Sequence, residues 1–181
     1  MKYVGFREWI IVNAKSIADV LTSTRLTLAF FIIICALFAD PSLLPVVVAL
    51  TLIAWTTDVL DGNMARRDPA GRKTWIGDND FAVDMILIYS GLLYFITAGF
   101  LPFWPFFFYG IIAAATAIIW TKQSVMMAFA APIAAVPIIF SFINSPLWGW
   151  VFIGWIISAL IINWSRFKDV VGGFIKDVEE N

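Results

Sequence analysis

Six apolar stretches run through the chain, near 19–39, 42–60, 80–99, 102–121, 125–143 and 146–164. Each approaches the roughly 20 residues that one bilayer crossing requires. Polar breaks with turn chemistry divide them: Asp40-Pro41, Gly99 to Pro102, and Asn144-Ser145-Pro146. The break from Thr121 to Ser124 carries the least such chemistry. The pattern predicts an all-α, polytopic integral membrane protein with six transmembrane helices. Ahead of them, Phe6 to Ala18 mixes apolar and charged residues and predicts a short N-terminal amphipathic interfacial helix. Pro132 and Pro137 predict a kink in the fifth helix. The expected organisation is a cytoplasmic juxtamembrane segment over 1–18, a transmembrane domain over 19–164 and a cytoplasmic tail over 165–181.

Composition agrees. Hydrophobic residues make up 61% of the chain and charged residues 14%, with a mean hydropathy of +0.89. No soluble domain of this size needs so much apolar surface. The charged residues before Asp19, with no long apolar run among them, predict no removable signal peptide. The single cysteine, Cys35, lies in an apolar run and reads as a packing residue. Histidine is absent, which excludes Ser-His-Asp and Cys-His nucleophile schemes and imidazole-based zinc sites.

Charge placement gives an orientation. Lys2, Arg7, Lys15 and Arg25 lie before or at the start of the first span, and Arg66, Arg67, Arg72 and Lys73 between the second and third. Lys122 lies between the fourth and fifth, and Arg166, Lys168 and Lys176 follow the sixth. With six spans, all twelve basic residues fall on one side. That side is expected to be cytoplasmic, with both termini on it. Trp9, Trp75, Trp120 and Trp164 fall near that interface, and Trp104, Trp148 and Trp150 near the other, as an aromatic belt would place them.

The remaining acidic residues change the picture. Asp58 and Asp61 are three apart at the end of the second span; Asp80 and Asp84 are four apart at the start of the third. Each spacing puts its pair on one helix face. The two spans run in opposite directions and are joined by a short loop, so both pairs lie at similar depth. Four carboxylates gathered there repel unless a cation joins them. All-oxygen ligands suit Mg²⁺ or Mn²⁺, one or two ions, and such ions serve phosphoryl chemistry. Gly62 allows a ligand close to the backbone, and Arg66 is placed to hold a phosphate. Asp19, Asp40 and Asp68 read as solvated caps, and Asp78 as a cap or a solvated neighbour of the site.

The run Asp58-x-x-Asp61-Gly62-x-x-Ala65-Arg66, followed by Gly77, Asp80 and Asp84, resembles the signature of the CDP-alcohol phosphotransferases, six-helix membrane enzymes of phospholipid synthesis. Thr22-Ser23-Thr24-Arg25 is similar to that family's Thr-x-x-Arg opening. The second half of the signature departs from the family pattern. Ten residues instead of eight separate Arg66 from Gly77, and two instead of three separate Gly77 from Asp80. The Asp80-x-x-x-Asp84 spacing is intact.

The resemblance implies transfer of a phosphatidyl group from a CDP-linked lipid donor to a small alcohol acceptor, with release of CMP. It implies Asp58, Asp61, Asp80 and Asp84 as metal ligands and Asp84 also as general base. Gly62, Ala65, Arg66, Thr22 and Arg25 would contact the nucleotide and phosphates. A homodimer among membrane lipids is implied too; nucleic acid is not an expected partner. Met85 stands where members with phosphorylated acceptors often carry Lys or Arg, and the acceptor stays open, with CDP-diacylglycerol preferred as donor. Rival readings are a divalent-cation transporter, whose ligands belong near the membrane midplane, a prenyltransferase, which needs more spans, and a catalytically silent family member.

Overall fold

The computed structural model describes residues 6–65, 74–119, 123–164, 167–168 and 171–173. Those residues are helical throughout their ordered elements and contain no strand. Helix α1 spans Phe6–Phe38, α2 Leu44–Ala65, α3 Trp75–Asp78, α4 Asp80–Thr97, α5 Phe103–Ile119, α6 Gln123–Asn144 and α7 Pro146–Ile162. A single 3-10 turn, Pro41–Leu43, precedes α2.

The segment expected as a separate interfacial helix is helical, and it runs into the first span without a break. No Gly or Pro occurs from Phe6 to Phe38, so nothing in the sequence interrupts the 33-residue α1. Its length, about 50 Å at 1.5 Å per residue, exceeds the hydrocarbon thickness of a bilayer by about 20 Å. Among the described residues, Asn13–Phe38, Pro41–Gly62 and Asp80–Thr97 are long and apolar enough to cross a membrane. Phe103–Thr116, Ala128–Asn144 and Pro146–Ile162 are shorter apolar helices. Helix α6 continues through Pro132 and Pro137.

The turns form where the polar breaks lie. Helix α1 stops at Ala39 (φ 51°), whose N–H donates to the Ala36 carbonyl at 3.2 Å. Asp40 follows, disfavoured in a helix by the proline after it. Its side chain accepts from the Ser42 N–H at 2.8 Å, and Ser42 holds its carboxyl below the usual range. Gly99 ends α4 at φ 79°, a conformation that strains any side chain.

Helix α1 packs along both α2 and α4; α4 meets α5 and α6, and α7 lies on α6 and α2. Lipid offers little drive to expel apolar side chains, so such packing relies on small residues that let backbones approach. Ala14, Ala18, Ala29 and Ala36 supply them along α1 and are fully or almost fully buried. Far from the acidic end, the Tyr94 hydroxyl donates to the Asp40 carbonyl at 3.1 Å and ties α4 to the α1–α2 turn. Trp55 packs on Phe152 and Trp155, and Trp155 Nε1 donates to Thr56 Oγ1 at 2.8 Å, so these two tryptophans join α2 to α7. Of the tryptophans assigned to the belt, Trp75, Trp104, Trp150 and Trp164 are exposed, Trp148 packs partly buried against the core, and Trp120 and the side chain of Trp9 lie outside the described residues.

Candidate active site

Lys15, Asp19, Thr22 and Arg25 follow one another at steps of four, three and three along α1, which places them on one face. That face looks into the angle between the last turns of α2 and the first turns of α4. Because α2 and α4 run oppositely, Asp58 and Asp61 come level with Asp80 and Asp84 at one end of the bundle. All four carboxylates meet the guanidinium of Arg25, which has no solvent exposure. Arg25 Nη1 lies 3.2 Å from Asp58 Oδ1 and also pairs with Asp84 Oδ1. Nη2 lies 3.0 Å from Asp80 Oδ1 and also pairs with Asp61 Oδ2. Thr22 Oγ1 lies 3.1 Å from Asp61 Oδ2, 3.2 Å from Asp80 Oδ1 and 3.2 Å from the Ala18 carbonyl. A hydroxyl carries one proton, so it donates to one of these acceptors at a time.

Depth separates the four acids. The Asp61 side chain is 8% exposed and forms the floor; those of Asp58, Asp80 and Asp84 are 36%, 39% and 35% exposed and form an open rim. Asp80 is the first residue of α4, where the positive end of the helix dipole favours a carboxylate. One guanidinium among four carboxylates leaves the cluster strongly negative. Its Nε, buried, has no hydrogen-bond partner among the described residues.

The donor set fits a hard divalent cation. One oxygen each from Asp58, Asp80 and Asp84 lies within 4.8 Å of the others. Opposite ligands of a Mg²⁺ ion stand about 4.2 Å apart at ordinary bond lengths of about 2.1 Å, so a small closure suffices. Soft or nitrogen ligands are not at hand: the chain has no histidine, and Cys35 is ten residues beyond Arg25, about 15 Å further along α1.

Six of the residues singled out by sequence, Thr22, Arg25, Asp58, Asp61, Asp80 and Asp84, thus come together. Gly62 sits beside Asp61, half-buried near the end of α2. Ala65 closes that helix, while its side chain and all of Arg66 lie outside the described residues, as do Asp68 and the side chain of Asp78.

Two expectations are corrected. Arg25 was counted with the charges at the start of the first span and, from the resemblance, with the nucleotide and phosphate contacts; it is buried within α1, where it pairs with four acids. Asp19 was read as a solvated cap; it lies within α1, pairs with Lys15 Nζ at 3.2 Å and accepts from Thr74 Oγ1 at 2.8 Å. Asp40 does cap a turn. Thr74 itself was missed, although a threonine three residues before Gly77 is an N-cap signal.

Fold and site together define a polytopic helical membrane protein with an acidic pocket at one end of its bundle. A family model of CDP-alcohol phosphatidyltransferase matches residues 15–167, and the chain belongs to that family. No curated protein and no solved structure matches it significantly. Membership carries a general activity, phosphatidyl transfer from a CDP-alcohol, and a general dependence on divalent metal.

Proposed function

We propose that this protein transfers the phosphatidyl group of CDP-diacylglycerol to the hydroxyl of a small alcohol and releases CMP, using Mg²⁺ or Mn²⁺ held by Asp58, Asp61, Asp80 and Asp84. The observation that carries this reading is the convergence of four carboxylates on one site at the ends of α2 and α4. A water-soluble nucleotide and a lipid can both reach the end of a bundle, which neither solvent nor bilayer interior alone would allow. The positive-inside pattern of the sequence supports a cytoplasmic acidic end, since four basic residues lie in the segment between the second and third spans, next to these acids in the sequence.

Bound cations would neutralise the donor's diphosphate and the charge that develops on departing CMP. The chain's own residues do the rest. Arg25 holds Asp61 and Asp84 in place and offsets part of their repulsion. Thr22 orients Asp61 and Asp80. Asp84 accepts the proton of the acceptor hydroxyl as its oxygen forms a bond to the lipid-bearing phosphorus and the bond from that phosphorus to CMP breaks. The family resemblance assigns Gly62, Ala65 and Arg66 to contacts with the nucleotide and phosphates. Met85 after Asp84 brings no positive charge, which favours an acceptor without a phosphate of its own. The functional unit is a homodimer, as the family resemblance implies.

The test is CMP release by purified protein in detergent with Mg²⁺, CDP-diacylglycerol and a panel of plain and phosphorylated alcohols. Asp84→Asn is expected to lower turnover by about 10²–10⁴-fold, the usual worth of a general base, with donor binding largely kept. Full activity in that variant removes Asp84 from the catalytic role. Metal flux into liposomes without CMP formation would favour the transporter reading instead.

A further inference from the structure

The polar stripe on α1 continues beyond the acidic pocket. Lys15 and Asp19 lie two turns and one turn before Thr22, and their side chains are largely buried, 13% and 18% exposed. Asp19 Oδ1 receives both Lys15 Nζ at 3.2 Å and the Thr74 hydroxyl at 2.8 Å. Thr74, in extended conformation (φ −132°, ψ 152°), is the N-cap of α3, and its Oγ1 accepts from the Gly77 N–H at 3.2 Å. One hydroxyl therefore uses its donor on α1 and its acceptor role on α3, which fixes its rotor.

Helix α3 has four residues, too few to persist unaided. It is held at one end by Thr74 and at the other by Asn79. The Asn79 N–H donates to the Ile76 carbonyl at 3.1 Å and its side-chain amide to the Trp75 carbonyl at 2.8 Å. The Asn79 carbonyl accepts from the Val83 N–H at 3.1 Å, the first turn of α4. Asn79 is thus the single residue joining α3 to α4, and Asp80 comes next. A Cβ on Gly77 would meet the Lys15 amine, the far end of a flexible side chain that can move aside. The shifted spacing of Gly77 is therefore matched by a local structure of its own.

We infer that the Lys15–Asp19–Thr74 linkage fixes the start of α4 so that Asp80 faces the other three acids, which makes Asp19 and Thr74 positioning residues for cation capture. The inference rests on the reading of Asp80 as a metal ligand. Outer partners that orient a metal ligand commonly change affinity by 10–100-fold when removed. Thr74→Val keeps the shape of the side chain and removes both hydrogen bonds; Asp19→Ala removes the acceptor on α1; Thr74→Ser restores the hydroxyl.

The experiment is a Mn²⁺ titration of the purified full-length protein in detergent, read by loss of the paramagnetic signal of free Mn²⁺, with Asp80→Asn as reference. Thr74→Val and Asp19→Ala are expected to weaken Mn²⁺ binding about tenfold or more, at an unchanged elution profile, and Thr74→Ser to bind as the parent does. Parental affinity in Thr74→Val or Asp19→Ala, with Asp80→Asn weakened, overturns the inference and leaves the site reading intact. Parental affinity in Asp80→Asn overturns both. If Thr74→Val does not fold, the Asp19→Ala result decides.

Discussion

Asp61 differs from its three companions in lying at the floor of the pocket, against Thr22 and Arg25 and away from solvent. Asp61→Asn removes one negative charge where solvent can least replace it and puts an amide against a guanidinium that needs an acceptor. Metal-dependent binding of CDP or CMP is expected to vanish in this variant, measured by calorimetry with and without Mg²⁺; unchanged binding would contradict its place among the ligands. Arg25→Ala tests the other side of the balance. Removing one partner from a buried charge pair commonly costs about 3–5 kcal/mol, because the remaining charges stand uncompensated. In EDTA the variant should melt well below the parent. Millimolar Mg²⁺ should recover more stability in the variant than in the parent, since a cation bound only by the folded state stabilises it by mass action. An equal deficit with and without Mg²⁺ would mean that these carboxylates do not share an ion.

At the scale of helices, α6 and α7 are joined by one residue, Ser145. Ser145 N–H donates to the Ser141 carbonyl at 2.8 Å, and Pro146 begins α7 at once. Close by, Gly149 lies so near α6 that a Cβ would stand 2.7 Å from the Phe142 ring and 3.0 Å from its Cα. A ring can turn, but backbone cannot yield cheaply, so Gly149→Ala should destabilise the protein by about 1–3 kcal/mol, as overpacking does. Gly154, on the same helix with open space around it, is the control: its replacement by Ala should leave the melting temperature unchanged or higher. The helices were readable in the sequence because runs of apolar residues and Pro- or Gly-marked breaks report directly on bilayer crossings. The four acids were readable because spacings of three and four put each pair on one face. Arg25 was legible as a site residue through the Thr-x-x-Arg resemblance, but its pairing with four carboxylates was not, since a hydropathy profile treats a basic residue near a helix end as a topology signal and cannot see partners on other helices. The Asp19–Thr74 bond joins residues 55 apart and leaves no periodic trace. The continuity of α1 was also hidden: charges within Phe6 to Ala18 suggested a boundary, yet no helix breaker stands there.

Among the described residues the acidic cluster lies at one end of the bundle, and orientation in the membrane decides which compartment it faces. In a Cys35→Ala background, Ser16→Cys on α1 and Ser42→Cys in the α1–α2 turn are both exposed positions at opposite ends. An impermeant thiol reagent applied to sealed, right-side-out vesicles is expected to label Ser42→Cys at once and Ser16→Cys only after lysis. The reverse pattern would place the pocket outside. Among the described residues the acidic cluster draws on α1, α2 and α4, and the turn after α4, with Gly99 at positive φ, is where that trio ends. The four carboxylates and Arg25 thus all precede that turn, while α5, α6 and α7 pack on α4 and α2 without adding a carboxylate to the cluster among the described residues. A backbone nick between Gly99 and Pro102 would therefore leave two pieces with separate duties, one holding the reactive groups and one bracing them. Such a pair, made as separate polypeptides, has the makings of a complementation system in which the brace can be exchanged without touching the chemistry.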